Sequence, residues 1–262
     1  MRHPLFAQTK YFIFDMDGTF YLGDRMIPGA GDFARSLPAK GLDYRFFTNN
    51  SSNSEGVCMA KLANMGFPVE PGRVVLSSDV AADYLNTHCP GERVYLLGNE
   101  RLTSDMQRAG ITLVQDNPDL ILLGFDTTLD YEKITKAANW IAEGLPYYAT
   151  HPDRNCPVSG GFLPDTGSMI ALFEASAGRR PIVLGKPMRT TVDYLTRLLC
   201  CAPEALVFVG DRLETDIAIA AGHGIPSVLV LTGVTTLEEY QAQNEVRAGL
   251  VVESMKDIAN YL

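Results

Sequence analysis

The stretch Tyr11-Phe12-Ile13-Phe14-Asp15-Met16-Asp17-Gly18-Thr19 decides how the rest of the chain is read. Its four leading residues form an apolar run of the length of a buried strand. The run stops on two carboxylates two positions apart, followed by a glycine that lets the chain turn sharply. Two acids this close do not both stay ionised without a cation or a shared proton. An EF-hand calcium loop requires Gly at its sixth position and Glu at its twelfth. Counting from Asp15, those places hold Phe20 and Met26. A plain loop of surface acids is the ordinary alternative.

The residues at the ends of the other apolar runs weigh against that alternative. Tyr44–Phe47 is followed by Thr48, Pro181–Leu184 by Gly185-Lys186, and Leu206–Val209 by Gly210-Asp211, while Ser227–Leu231 adds a fifth run. Amphipathic segments lie between them. One helix is predicted from Ser52, with Glu55 completing a capping box, to Gly66. Another is predicted from Asp165 as N-cap through Met169–Ala177 to Gly178. This alternation predicts an α/β fold with a mostly parallel sheet. In such a sheet ligands bind beyond the carboxyl ends of the strands. Strands often end on polar residues, but two acids, a hydroxyl and a lysine together suit one task, the handling of phosphate.

Spacing divides the chain. Asp15 to Thr48 is 33 residues and Lys186 to Asp211 is 25, each about one βα unit, whereas Thr48 to Lys186 is 138. After the helix ending at Gly66 and the run Val74–Leu76, roughly a hundred residues remain, enough for an independent domain. That stretch has strands at Val94–Gly98, Leu120–Phe125 and Pro146–Thr150 and helices at Leu102–Ala109 and Tyr131–Glu143. The expected organisation is a core of residues 1–79 and 181–262 with an insert of residues 80–180.

Composition excludes several classes of function. The 262 residues are 46% hydrophobic and 20% charged, which is a globular balance. With 22 Lys plus Arg against 31 Asp plus Glu, the formal charge of −9 repels nucleic acid and anionic membrane surfaces. The five cysteines include the adjacent pair Cys200-Cys201 and no C-x-x-C spacing, so neither a disulfide framework nor a zinc site is expected. No signal-peptide pattern opens the sequence, and no apolar run approaches the ~18 residues of a membrane span. The expected compartment is the cytoplasm.

Four segments carry the candidate chemistry. Thr48-Asn49-Asn50-Ser51-Ser52 offers hydroxyls, amides and backbone N–H groups leading into a helix, a turn that can hold a phosphate or cap the helix. Gly185-Lys186-Pro187 is not a P-loop, since no Ser or Thr follows the lysine, but the lysine can act as a point charge on phosphate. In Gly210-Asp211-Arg212-Leu213-Glu214-Thr215-Asp216, Asp211 at the strand end is the better metal ligand. Asp216 either supports that ligand or favours the next helix's dipole. Oxygen ligands without His or Cys point to Mg²⁺. The turn His151-Pro152-Asp153-Arg154 offers a candidate substrate contact at His151, with an ordinary loop residue as the alternative. Gly29-Ala30-Gly31-Asp32-Phe33-Ala34 matches a dinucleotide fingerprint on paper, but Asp24–Pro28 before it is no strand.

Taken together, Asp15-Met16-Asp17-Gly18-Thr19, Thr48-Asn49-Asn50, Lys186 and Gly210-Asp211 with Asp216 resemble the four motifs of the haloacid dehalogenase superfamily of phosphatases. Ser51, Pro152-Asp153, Gly185-Lys186-Pro187, Arg212 and Leu231-Thr232-Gly233-Val234-Thr235 make the chain similar to the NagD-like, p-nitrophenylphosphatase branch. The resemblance implies a doubly wound, Rossmann-like core with an inserted α/β cap that selects the substrate. It implies Mg²⁺-dependent hydrolysis of small phosphate monoesters, such as nucleotides or sugar phosphates, with Asp15 as nucleophile and Asp17 as acid and base. Thr48, the Asn49 backbone and Lys186 would hold the phosphoryl group. The Asp15 side chain, the Asp17 carbonyl and Asp211 would hold the metal, with Asp216 behind them. Asn50, His151, Asp153 and Arg154 are the candidate specificity residues, and caps of this branch often pair subunits into homo-oligomers. A phosphotransferase or mutase would use the same residues. A non-catalytic metabolite-binding protein or a dinucleotide-dependent oxidoreductase would not need the intact set of acids.

Overall fold

The computed structural model describes residues 2–158 and 160–262. The chain is α/β and divides into two units. The first comprises Met1–Thr48, Glu55–Val75 and Val192–Leu262, and the second Asn49–Ser54 and Leu76–Thr191. The second unit thus contains all of 80–180, together with the segment after Thr48 and the chain around Lys186.

The first unit is built on a six-stranded parallel sheet. Across the sheet the strands run Leu250–Val252, Ser227–Val230, Leu206–Gly210, Tyr11–Phe14, Asp43–Thr48 and Val74–Leu76. The first three strands in chain order therefore step outward to one side and the last three to the other. The winding reverses between Tyr11–Phe14 and Leu206–Gly210, which pair from Tyr11 against Leu206 to Phe14 against Val209. At such a reversal the loops after the two strands diverge and leave a crevice. Asp15 and Asp211 are the residues that follow those two strands.

Phe12, Ile13 and Phe14 are all buried, as a parallel strand covered on both faces requires. Phe33 of the helix Ala30–Ser36 packs on Phe12 and Phe14, with ring centroids 5.7 and 6.0 Å apart. Each fully buried side chain of this kind contributes about 1.5–3 kcal/mol. That helix follows the antiparallel pair Tyr21–Leu22 and Arg25–Met26, so Gly29-Ala30-Gly31 lacks the setting of a dinucleotide site.

The helix expected to begin at Ser52 runs from Glu55 to Asn64. The Ser52 N–H and hydroxyl both donate to Asn50 Oδ1, at 3.0 and 2.7 Å, which closes a local turn in place of a cap. Glu55 accepts a bond from the Gly72 N–H at 2.6 Å, so the capping box does not form. The Asp165 cap does form. Its side chain accepts from the Thr166 N–H, and the helix Thr166–Ala177 ends at Gly178.

The second unit has its own five-stranded parallel sheet, ordered Ile182–Val183, Tyr147–Ala149, Leu120–Leu123, Arg93–Leu97 and Thr112–Leu113. The pleat sends alternate residues to opposite faces. Leu120 and Leu122 join Val94, Leu102 and Met106 on one face. Ile121 and Leu123 join Tyr95, Leu97, Ile141 and Phe173 on the other. The run Pro181–Leu184, grouped in sequence with the first unit's strands, forms the edge of this sheet. Ile182 pairs with Tyr148 and Val183 with Ala149. Leu184 is drawn in because it packs with Ala81 and Leu85 in one of the two cores. An antiparallel hairpin, Asn155–Val158 with Gly161–Pro164, lies in the chain between the strand Tyr147–Ala149 and the helix Thr166–Ala177. Among the described residues no helix is long and apolar enough to cross a membrane.

Candidate active site

The expected site residues fall into two sets, one in each unit. In the first unit, one carboxylate oxygen each from Asp15, Asp211 and Asp216 lie within 4.8 Å of one another. Asp211 and Asp216 are buried. Asp211 Oδ1 accepts from the Thr19 hydroxyl at 3.3 Å, and Oδ2 from the Val234 N–H at 2.7 Å. The Asp211 carbonyl accepts from the Thr235 N–H at 3.1 Å. The Thr232 hydroxyl reaches the Gly18 carbonyl at 2.6 Å. The segment Thr232–Thr235 therefore clamps both the acid at the end of one central strand and the turn after the other.

Burial, reinforced by the charge of Asp216, pushes the Asp211 carboxyl up to about 6 even though the Val234 N–H favours its ionised form. A buried group of carboxylates is unfavourable until a cation joins it. Three oxygen donors without His or Cys suit a hard divalent ion. The approach is close enough to require glycine on both sides of Asp211. A Cβ at Gly18, where φ is +85°, or at Gly233 would run into the Asp211 carboxylate.

The Asp17 side chain faces Tyr21 and Lys61. Its Oδ2 accepts from the Tyr21 hydroxyl at 3.1 Å, and Lys61 Nζ lies 3.6 Å from Oδ1 and 3.9 Å above the Tyr21 ring. Burial first, and the charge of Asp17 next, push the Tyr21 hydroxyl far above its ordinary value, so it remains a donor. Thr48 is buried as the last residue of the strand Asp43–Thr48.

In the second unit the structure brings together Asn49, Lys186, Asp153 and His151. Asn49 Oδ1 accepts from the Lys186 N–H at 3.1 Å, while Nδ2 donates to the Lys186 carbonyl at 3.1 Å and to Asp153 Oδ1 at 3.0 Å. The segment Asn49–Ser54 is stitched to the ends of this unit's strands. Ser51 Oγ sits 2.9 Å from Thr150 Oγ1 and accepts from the Phe125 N–H at 2.8 Å. Asn99 Nδ2 donates to the Ser52 carbonyl at 2.9 Å, and the Ser77 hydroxyl to the Asn49 carbonyl at 2.6 Å. His151 is fully buried, with Nε2 3.0 Å from Thr166 Oγ1 and 3.5 Å from Asp165 Oδ1. Burial raises the Asp165 carboxyl above its ordinary value, with His151 opposing the rise. Asn50 Nδ2 meets Cys156 Sγ at 3.6 Å, and Arg154 is exposed.

Residues 12–112 match the haloacid dehalogenase-like hydrolase family, and residues 183–258 match a second family of haloacid dehalogenase-like hydrolases. An acid sugar phosphatase of Staphylococcus aureus is 33% identical over 238 residues, 90% of this chain and 92% of that protein. The chain belongs to the haloacid dehalogenase-like hydrolases. Within these hydrolases it falls in the NagD and p-nitrophenylphosphatase branch. The crystal structure of a 4-nitrophenylphosphatase from Thermotoga maritima superposes with a TM-score of 0.94 at 39% identity, covering 98% of this chain and 99% of that one. NagD from E. coli K-12 superposes with a TM-score of 0.88 at 29% identity, covering 96% and 98%.

Sequence reasoning on this hydrolase gives no role to several residues that hold the site. Thr232, Gly233 and Val234 stand in the sequence only as marks of the branch, yet they clamp Asp211 and Gly18. Tyr21 and Lys61, which hold Asp17, lie 4 and 44 residues from it with no spacing rule to connect them. Asp165 and Thr166 read as a helix start, and they also seat His151.

Proposed function

We propose that Asp15 and Asp17 perform phosphate-monoester hydrolysis by way of an aspartyl-phosphate, in a chain that is a phosphoric monoester hydrolase of the haloacid dehalogenase-like family. The observation that carries this reading is the convergence of Asp15, Asp211 and Asp216 at the reversal of a parallel sheet. Asp15 is the nucleophile toward phosphorus. Asp17 gives a proton to the leaving oxygen and then takes one from the water that hydrolyses the intermediate. Its bond from Tyr21 and its approach to Lys61 keep that carboxylate in one orientation. Thr48, the Asn49 N–H and the Lys186 ammonium hold phosphoryl oxygens, and positioning is most of what this transfer needs.

The metal is Mg²⁺, held by the Asp15 carboxylate, the Asp17 carbonyl and Asp211, with Asp216 behind them. When bound it offsets the repulsion between an anionic nucleophile and a phosphate dianion. The substrate is a small phosphate ester, with sugar phosphates favoured by the likeness to an acid sugar phosphatase. Of the four candidate specificity residues, His151 is fully buried, Arg154 is exposed, and Asn50 and Asp153 are partly so; Arg154 and Asn50 are retained as leaving-group contacts. The five cysteines form no disulfide, which suits a reducing compartment, and we place the enzyme in the cytoplasm.

The test is a panel of phosphate esters with Mg²⁺, run on the wild type and on Asp15→Asn. The wild type should release inorganic phosphate. The variant should keep its fold and lose turnover by at least about 10³-fold, because an amide is a poor nucleophile. Steady hydrolysis by the purified variant would refute the aspartyl-phosphate route. Transfer of the phosphoryl group to an added sugar in place of water would favour a phosphotransferase.

A further inference from the structure

We propose that Asp153 is a positioning residue that holds Lys186 through the side-chain amide of Asn49 and does not select the leaving group. The inference rests on the reading of Lys186 as the phosphate-binding lysine.

The strand leading to Lys186 ends at Val183, so regular pairing does not extend to the lysine. Its backbone is held by Asn49, whose amide spans it. Oδ1 accepts from the Lys186 N–H and Nδ2 donates to the Lys186 carbonyl, both at 3.1 Å. A primary amide turned over by 180° would set its NH₂ against that N–H and its oxygen against that carbonyl, losing both bonds. Asp153 reinforces the orientation that keeps them. Its Oδ1 lies 3.0 Å from Asn49 Nδ2, and an ionised carboxylate only accepts. A charge-assisted bond of this kind is also the strongest of the three.

Asp153 is itself fixed by the start of the helix Thr166–Ala177. The Gly167 N–H donates to the Asp153 carbonyl at 2.7 Å. The Asp165 N–H and the Ser168 hydroxyl donate to the Arg154 carbonyl at 2.9 and 2.7 Å. A Cβ at Gly167 would collide with the backbone of Pro152 and come within 2.9 Å of Asp153, so only glycine lets the helix approach this closely. His151 lies beneath the turn, with Nδ1 4.0 Å from Asp153 Oδ2 and Nε2 on Thr166. One oxygen of Asp153 is thus engaged by Asn49, the other faces His151, and the side chain is 14% exposed. The chain of contacts runs from the helix start through Asp153 and Asn49 to the peptide of Lys186, all within the second unit.

The measurement compares Asp153→Leu, Asp153→Asn and Lys186→Ala with the wild type. Asp153→Leu is close in size and offers no acceptor. It should lower kcat/KM by one common factor, about 10- to 100-fold, for p-nitrophenyl phosphate and for larger esters alike. It should also weaken competitive inhibition by inorganic phosphate. Asp153→Asn keeps a carbonyl that can accept from Asn49 and should recover most of the loss. In a Lys186→Ala background the Leu substitution should cost little more, because the two act on one function. Relative kcat/KM values that change between esters while phosphate inhibition stays constant would overturn the inference and make Asp153 a leaving-group contact. Persistence of the full factor in the Lys186→Ala background would also overturn it, as would wild-type behaviour of Asp153→Leu. If the Leu variant does not fold, Asp153→Ser, too short to reach Asn49, is read in the same way. Unchanged turnover and phosphate inhibition in Lys186→Ala alone would instead refute the role of the lysine, and an Asp153→Leu effect would then need another cause.

Discussion

Gly18→Ala tests whether Asp211, the proposed metal ligand, is held in place by close packing. Gly18 has φ of +85°, a region that costs an L residue about 1–2 kcal/mol. The added Cβ would meet the Asp211 carboxylate, with its Cγ at 2.8 Å and Oδ1 at 3.1 Å, against an ordinary contact of 3.4 Å or more. The carboxylate must therefore shift by at least about 0.6 Å, beyond the ~0.5 Å within which a site keeps its productive geometry. It cannot shift freely, because Oδ2 accepts from Val234 at 2.7 Å and Oδ1 from Thr19 at 3.3 Å. Losing a bond to a charged acceptor costs about 1.5–3 kcal/mol. The variant should lose about 3 kcal/mol in urea unfolding and melt roughly 6–12 °C lower. Its Mg²⁺ affinity, read by calorimetric titration and by the Mg²⁺ dependence of turnover, should fall about 10- to 100-fold. A variant that unfolds like the wild type and binds Mg²⁺ equally well would refute the reasoning, since Asp211 would then have room that the packing denies it.

Replacing Mg²⁺ by Ca²⁺ should inhibit turnover while calcium still binds. Calcium takes about 6–8 oxygens at longer distances and can engage both oxygens of Asp15, leaving neither to attack. Full activity in calcium alone would count against Asp15 as a metal-bound nucleophile. The second test concerns pH. The guanidinium and N–H of Arg93 bond to Asp119 at 2.8–3.0 Å and hold its carboxyl down at about 2. Since the unfolded value is about 3.9, the stabilisation is present above pH ~4 and is lost as pH falls toward ~2. The difference in urea midpoint between wild type and Asp119→Asn should therefore shrink between pH 6 and pH 3, and a constant difference would disprove it.

Much of this architecture is local and legible in order along the chain. The helix Tyr131–Glu143 and the strand Tyr11–Phe14 begin and end where their patterns predict, because periodicity and burial act between near neighbours on one element. Asp165 and Gly178 bound their helix as expected, since caps satisfy backbone groups within a turn. The acids at the strand ends are legible for the same reason, and the parallel sheet brings Asp15 and Asp211 to adjacent strands. Ser52 and Glu55 show where local reading fails. The spacing of a capping box is present, but Asn50 and Gly72 offer competing partners that the pattern does not contain. The run before Lys186 reads as a strand in any sheet, and only the packing of Leu184 placed it in the second one. Asn49 reads as a phosphate ligand through its backbone, and no pattern in the sequence tells that its side chain holds a lysine 137 residues away. Thr19 reaches Asp211 across 192 residues. The sequence alone determined where most strands and helices lie and which residues carry reactive groups, because backbone sterics and side-chain polarity act locally. Tertiary structure decided which groups face one another, because a hydrogen bond made across the fold depends on the packing of every element between its partners.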